Sequence, residues 1–124
     1  MKIIILILSW VVVANQPNFN AVVAAIEQGN VSILSAYMDE NLEITIGDED
    51  GSYAKEEAAR IVNEFFASNK PSNCNVVHSG SARNSGSYYC IGNLTAGGKK
   101  HRVYLFFKQS GSDYKIQEIR FEED

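Results

Sequence analysis

The chain carries two histidines, His78 and His101, and two cysteines, Cys74 and Cys90. Imidazole titrates near neutral pH and is the usual general base. A thiol beside such a base is a nucleophile, and Cys90 and His78 fall on segments that would form adjacent strands. Neither histidine has a partner fixed by spacing, and a lone histidine near a strand end is ordinarily a tolerated polar residue. A small thiol is likewise most often packing. The cysteine spacing does not suggest zinc. No motif commits the chain to a reaction, and none implies a cofactor or a resident metal.

Acidic residues gather at Asp48-Glu49-Asp50 and at Glu122-Glu123-Asp124. Asp48, Asp50, Gly51 and Glu57 match part of a helix-loop-helix calcium pattern, but Ile46 stands where its first Asp belongs. A charged hairpin tip explains the same residues without a metal.

The elements that must position these groups can be read from periodicity. Phe19, Val22, Val23 and Ile26 recur with helical spacing, and Gly29 is a natural stop. Asn30 can cap a second helix over 31–38, ended by Asp39-Glu40-Asn41. Leu42, Ile44 and Ile46 alternate with polar residues, as in a half-buried strand. Gly47 to Gly51 reads as a turn, and Ser52-Tyr53 as at most a scrap of returning strand. A third helix over 54–68 buries Ala58, Ile61, Val62, Phe65 and Phe66 and is expected to be the main cover of one sheet face. Four strands follow, at about 74–82, 87–95, 101–109 and 113–122, separated by segments rich in turn residues. Tyr114 and Ile116 are out of phase with Ile119 and Phe121, and a bulge around Gln117-Glu118 would bring all four to one face.

The segment His101 to Lys108 organises this arrangement. Side chains alternate across a strand, so His101, Val103, Leu105 and Phe107 share one face, and Arg102, Tyr104, Phe106 and Lys108 the other. A strand apolar on both faces belongs near the middle of a sheet covered on each side. The predicted fold class is α+β: a cone-shaped curved antiparallel sheet packed against three helices from the N-terminal part, in the order α-α-β-(β)-α-β-β-β-β.

Length and composition agree. The 124 residues make one domain, and 45% hydrophobic with 21% charged content is ordinary for a globular protein. A net charge of −4 argues against a nucleic-acid footprint. Lys2, the apolar run from Ile3 and the small-residue site Val12-Val13-Ala14 fit an export signal over 1–14, too short for a stable membrane span. The mature domain would cover 15–124 and be periplasmic or extracellular. Export would permit a disulfide. If the hairpin joining the strands at 74–82 and 87–95 turns at Arg83-Asn84-Ser85-Gly86, however, Cys90 lies opposite about Ser79 and Cys74 opposite about Thr95. That is too far out of register for a bridge unless a bulge intervenes, and two small buried thiols are the simpler reading.

The stretches Ile26-Glu27-Gln28-Gly29-Asn30, Leu42 to Ile46, Gly51 to Lys55, Asn63-Glu64-Phe65-Phe66, Ile91-Gly92-Asn93-Leu94, Arg102 to Leu105 and Ile116 to Arg120 resemble small exported bacterial proteins of domain-of-unknown-function family 4783. The order of elements resembles the nuclear transport factor two-like superfamily, a cystatin-like cone shared with ketosteroid isomerase and SnoaL-like enzymes. Ala54 departs from the family pattern, in which a Ser caps the third helix; either Ser52 substitutes or that helix start frays. The resemblance implies a pocket between helices and sheet, with Tyr37, Phe65, Phe66, His78 and Phe107 as candidate lining. Isomerase chemistry would need a buried Asp base beside Tyr37 or Tyr53, and Glu43, the one acid in the first predicted strand, lies on its polar phase. The resemblance also implies pairing through the outer sheet face, here Arg102, Tyr104, Phe106 and Lys108, in a homodimer. With a bacterial source, the acceptor patterns at Asn30 and Asn93 carry no glycan. Three readings follow: a non-enzymatic module binding a small apolar ligand or a partner; a SnoaL-like enzyme using His78 and Tyr37; or a structural dimer with a filled cone.

Overall fold

The computed structural model describes Ile5, residues 16–82 and residues 86–124. The export signal over 1–14, Ile5 apart, and the turn at 83–86, Gly86 apart, lie outside the described residues. Among the described residues no helix is long and apolar enough to cross a membrane. The elements are α1 (Phe19–Gln28), α2 (Val31–Ala36), β1 (Met38–Ile46), β2 (Glu49–Ala54), α3 (Lys55–Ser68), β3 (Pro71–Ser81), β4 (Ser87–Ala96), β5 (Lys99–Ser110) and β6 (Asp113–Glu123).

The first two helices start and stop where side-chain chemistry dictates. Asn18 and Asn30 accept hydrogen bonds from the N–H groups of Ala21 and Ile33, each at 3.1 Å, satisfying donors that a helix start leaves open. Gly29 closes α1 at φ 64°, a left-handed conformation that a side chain disfavours. An added Cβ there would also lie 3.1 Å from the Pro71 ring. Lys115 Nζ donates to the Ala36 carbonyl at 3.2 Å, closing α2. By contrast α3 begins at Ala54 with no side-chain cap, because Ser52 is held in β2 opposite Glu43. Glu56 and Glu57 in the first turn favour the positive end of the helix dipole and partly compensate.

The six strands form one curved sheet in the order β2-β1-β6-β5-β4-β3, an α+β cone as expected. One pair departs from the antiparallel expectation: β1 and β6 run parallel. The reason is topological, since the chain leaves the β1–β2 hairpin, crosses α3 and three strands, and returns beside β1. β1 and β2 differ most from what periodicity suggested. β1 starts at Met38, so Asp39-Glu40-Asn41 extends the strand. β2 is a full partner of β1, paired from Glu49 to Ala54.

Sheet phase is reset by bulges. Phe107 pairs with Ile116 but Phe106 with Glu118, leaving Gln117 as the extra residue. This is the bulge the sequence required, and it buries Ile116, Ile119 and Phe121 together. A second bulge lies between Val76 and His78 on β3.

The helices fill the inner face. α1 packs on β3 and β4, and α3 on β1 and β2, so cover is shared instead of falling mainly to α3. Phe65 stacks on Phe121 with centroids 4.5 Å apart, and Phe66 meets the same ring edge-on at 5.8 Å. Phe19 meets Phe107 at 5.5 Å. Val103, Leu105 and Phe107 are each 1% exposed or less, and burying such side chains stabilises by about 1.5–3 kcal/mol apiece.

Two stability changes follow. Phe121→Ala removes the ring that Phe65 and Phe66 share and should cost about 3–5 kcal/mol in urea unfolding. Ala54→Ser supplies the missing cap and should raise stability by about 0.5–2 kcal/mol, seen as a higher melting temperature.

Candidate functional site on the outer sheet face

The residues proposed to line an inner pocket do not gather there. Tyr37, Phe65, Phe66 and Phe107 belong to the core or pack against it. His78 does not join them. Simple alternation from Cys74 and Val76 would set it on their inner face, but the bulge at Val77 shifts the phase, so His78 pairs with Ile91 and faces outward, exposed. Its Nε2 lies 2.5 Å from Tyr89 Oη, and Tyr89 reaches it by lying across Gly80, its cross-strand partner. His101 is the buried histidine, 5% exposed. Its Nε2 donates to the Ala96 carbonyl at 3.3 Å, and the ring meets Phe65 edge-on at 5.6 Å. The buried polar residues among those described are Ser87 and His101, which leaves no carboxylate in the interior to abstract a proton.

Cys74 and Cys90 are free and buried. Cys90 lies opposite Ser79 as expected, and Cys74 opposite Leu94, one position from the expected Thr95. Burial pushes the Cys74 thiol up to about 12, with Cys90 and the Glu27 carboxylate adding to the effect. Burial alone raises Cys90 to about 11. Neither is poised as a nucleophile. Among the described residues no three of His, Cys, Asp or Glu gather as a metal site. Asp48 sits beyond the end of β1, Asp50 and Gly51 lie inside β2, and Glu57 is on α3.

The outer face is built around β5. Arg102 and Lys108 are exposed, and Tyr104 and Phe106 half-buried between them. Tyr104 has Ile91 of β4 on one side and Arg120 of β6 on the other; Phe106 has Tyr89 and Glu118. Arg120 lies over the Tyr104 ring, 5.7 Å from its centroid, and bonds Glu118 at 2.9 Å with Glu122 at 3.7 Å. Partial burial, with Glu118 nearby, raises the Tyr104 phenol above its ordinary value, so it remains a neutral hydroxyl. A hollow of about 360 Å³ beside Phe106 is bounded by Glu43, Ser52, Gln117 and Glu118. Sequence reasoning named the β5 residues and missed Tyr89, Ile91, Glu118 and Arg120. The signal for the β4 pair was available: a two-residue turn at Gly97-Gly98 fixes the register that sets Tyr89 and Ile91 beside Phe106 and Tyr104.

Residues 19–122 match the family model described as a domain of unknown function, DUF4783, and the chain belongs to this family. A family member from Bacteroides fragilis is 32% identical, with TM-score 0.78 over 84% of this chain and 96% of that one. One from Bacteroides ovatus is 29% identical, with TM-score 0.80 over 89% and 96%. An NTF2-like protein of unknown function from Cytophaga hutchinsonii, 11% identical, shares the fold with TM-score 0.59 over 85% of each chain. No curated protein matches.

The thiols give a pH prediction. Both would titrate near 9 without burial, so above that pH the folded state holds protons that the unfolded chain has released. Their contribution to stability is complete below pH 9 and is lost as pH rises toward 11 and 12. The melting temperature should therefore fall more steeply across this interval in the natural chain than in the Cys74→Ala/Cys90→Ala double variant. Ellman's reagent near neutral pH should react with neither thiol until the protein unfolds.

Proposed function

We propose that this chain is an exported, non-catalytic interaction module that pairs with a second copy of itself through the outer sheet face. The observation that carries the reading is the division of β5. Its inner row, His101, Val103, Leu105 and Phe107, is buried, whereas Tyr104 and Phe106 on the outer row stay half-exposed. An aromatic centre with a charged rim is the composition of a protein interface.

A second copy is the occupant that the charges favour. Cations lie on β5, at Arg102 and Lys108, and acids on β1 and β2, at Glu43 and Asp50. A twofold axis running diagonally to the strands near Tyr104 would set Lys108 of one copy toward the β1–β2 acids of the other, as a self-complementary interface requires. Six strands at about 4.8 Å spacing and a long central strand give a face broad enough for the roughly 800 Å² per partner of a standard interface. The export component rests on Lys2 and the apolar run that follows it.

A small apolar ligand in the cone has less support, because Phe65, Phe66 and Phe107 are already engaged with Phe121 and Phe19. A SnoaL-like reaction has less still, since Tyr37 packs against the core and His78 faces outward.

Phe106→Glu should halve the mass measured by light scattering on a sizing column while leaving the melting temperature nearly unchanged. The same mass for both proteins would refute pairing through this face. Glu43→Lys should weaken association, and raised salt should weaken it in the natural chain.

A further inference from the structure

We propose that the corner of the outer face where β3, β4 and β5 meet is a binding site for a neutral oligosaccharide. The corner is a hollow of about 330 Å³ whose lining includes Asn73 and Asn75 of β3, Asn93 and Thr95 of β4, Lys100 of β5, and Asp124. Asn73 pairs with Thr95, Asn75 with Asn93, and Thr95 with Lys100, so these side chains form one cluster on the outer face. It lies at the end of β5 away from Lys108, and the proposal does not depend on the dimer.

Three features point to this ligand class. Asparagine is depleted in strands because it packs poorly on a pleated surface, yet three stand at neighbouring sites here, all exposed. Packing does not explain them. Each primary amide offers two N–H donors and a carbonyl acceptor side by side. Among the described residues, none of the three side-chain amides is engaged in a protein hydrogen bond. Adjacent sugar hydroxyls, each donor and acceptor at once, match such planar amides, and Thr95 adds a hydroxyl of the same kind. Finally, Lys100 and the Asp124 carboxylate flank the hollow with opposite charges. The rim is therefore not of one sign, and the uncharged amides and the Thr95 hydroxyl between these groups suit a neutral polyhydroxylated ligand.

The test is titration of the isotope-labelled full domain with cellotetraose, maltotetraose and the N-acetylglucosamine tetramer in turn, followed by amide NMR. At least one sugar should shift the side-chain amide signals of Asn73, Asn75 and Asn93 together. Asn75→Ala and Asn93→Ala should each weaken that binding by about tenfold. Both residues are exposed, so each variant should keep the natural backbone spectrum, and Phe106→Glu should bind as the natural chain does. The proposal is overturned if all three sugars at millimolar concentration leave these amides unmoved. It is equally overturned if the shifts centre on Tyr104 and Phe106, if inorganic sulfate reproduces them, or if the asparagine variants bind unchanged.

Discussion

Three helices can cover only one face of a six-stranded sheet, and the rest of the structure follows from which side chains that face receives. Strand alternation makes the choice residue by residue, so a single inserted residue reverses it for everything beyond. Gln117 is one such residue. Without it, Ile119 and Phe121 would point away from the helices while Tyr114 and Ile116 pointed toward them, and Phe65 would lose the ring it stacks on. With it, β6 delivers one continuous apolar row inward and leaves Glu118, Arg120 and Glu122 outside. The aromatic packing of the cone and the charged frame around Tyr104 are two results of the same bulge.

The second bulge, at Val77, has the opposite effect on chemistry. It carries the one exposed histidine out of reach of the core and sets it against Tyr89 on the outer face. The other histidine is inside, but its Nε2 is committed to the Ala96 carbonyl and its ring to Phe65. The two thiols are buried deeply enough that burial itself keeps them protonated. The thiols and His101 are thus used in packing, and His78 lies outside with Tyr89 as its partner, which is why the functional reading moves to the sheet surface.

Much of this was legible in the sequence, and the parts that were not share a cause. Helix ends at Gly29 and Asn30 depend on local chemistry and were readable. So was the bulge near Gln117, because four apolar residues on both sides of it disagreed in phase. Val77 gave no comparable signal: β3 lies at the edge of the sheet and is exposed along most of its length, so no apolar row exists to go out of phase, and His78 was assigned to the wrong face. The length of β2 was hidden for a related reason, since Glu49, Asp50 and Gly51 are poor strand formers held by pairing with β1. The parallel β1–β6 pair depends on a return of the chain from far along the sequence, which no local pattern encodes. Of the outer face, the β5 row was visible, and its flanks on β4 and β6 required register.

The central claim is that neighbouring residues of one strand have separate duties, Phe107 sealing the core and Phe106 meeting a second copy. Fluorine NMR of protein labelled with fluorophenylalanine, recorded over a range of concentrations with a soluble paramagnet, tests it most directly. The account predicts a Phe107 signal that the paramagnet never broadens, and a Phe106 signal that is broadened in dilute solution and protected as concentration rises. A Phe106 signal equally broadened at every concentration, or a Phe107 signal open to the paramagnet, would contradict it.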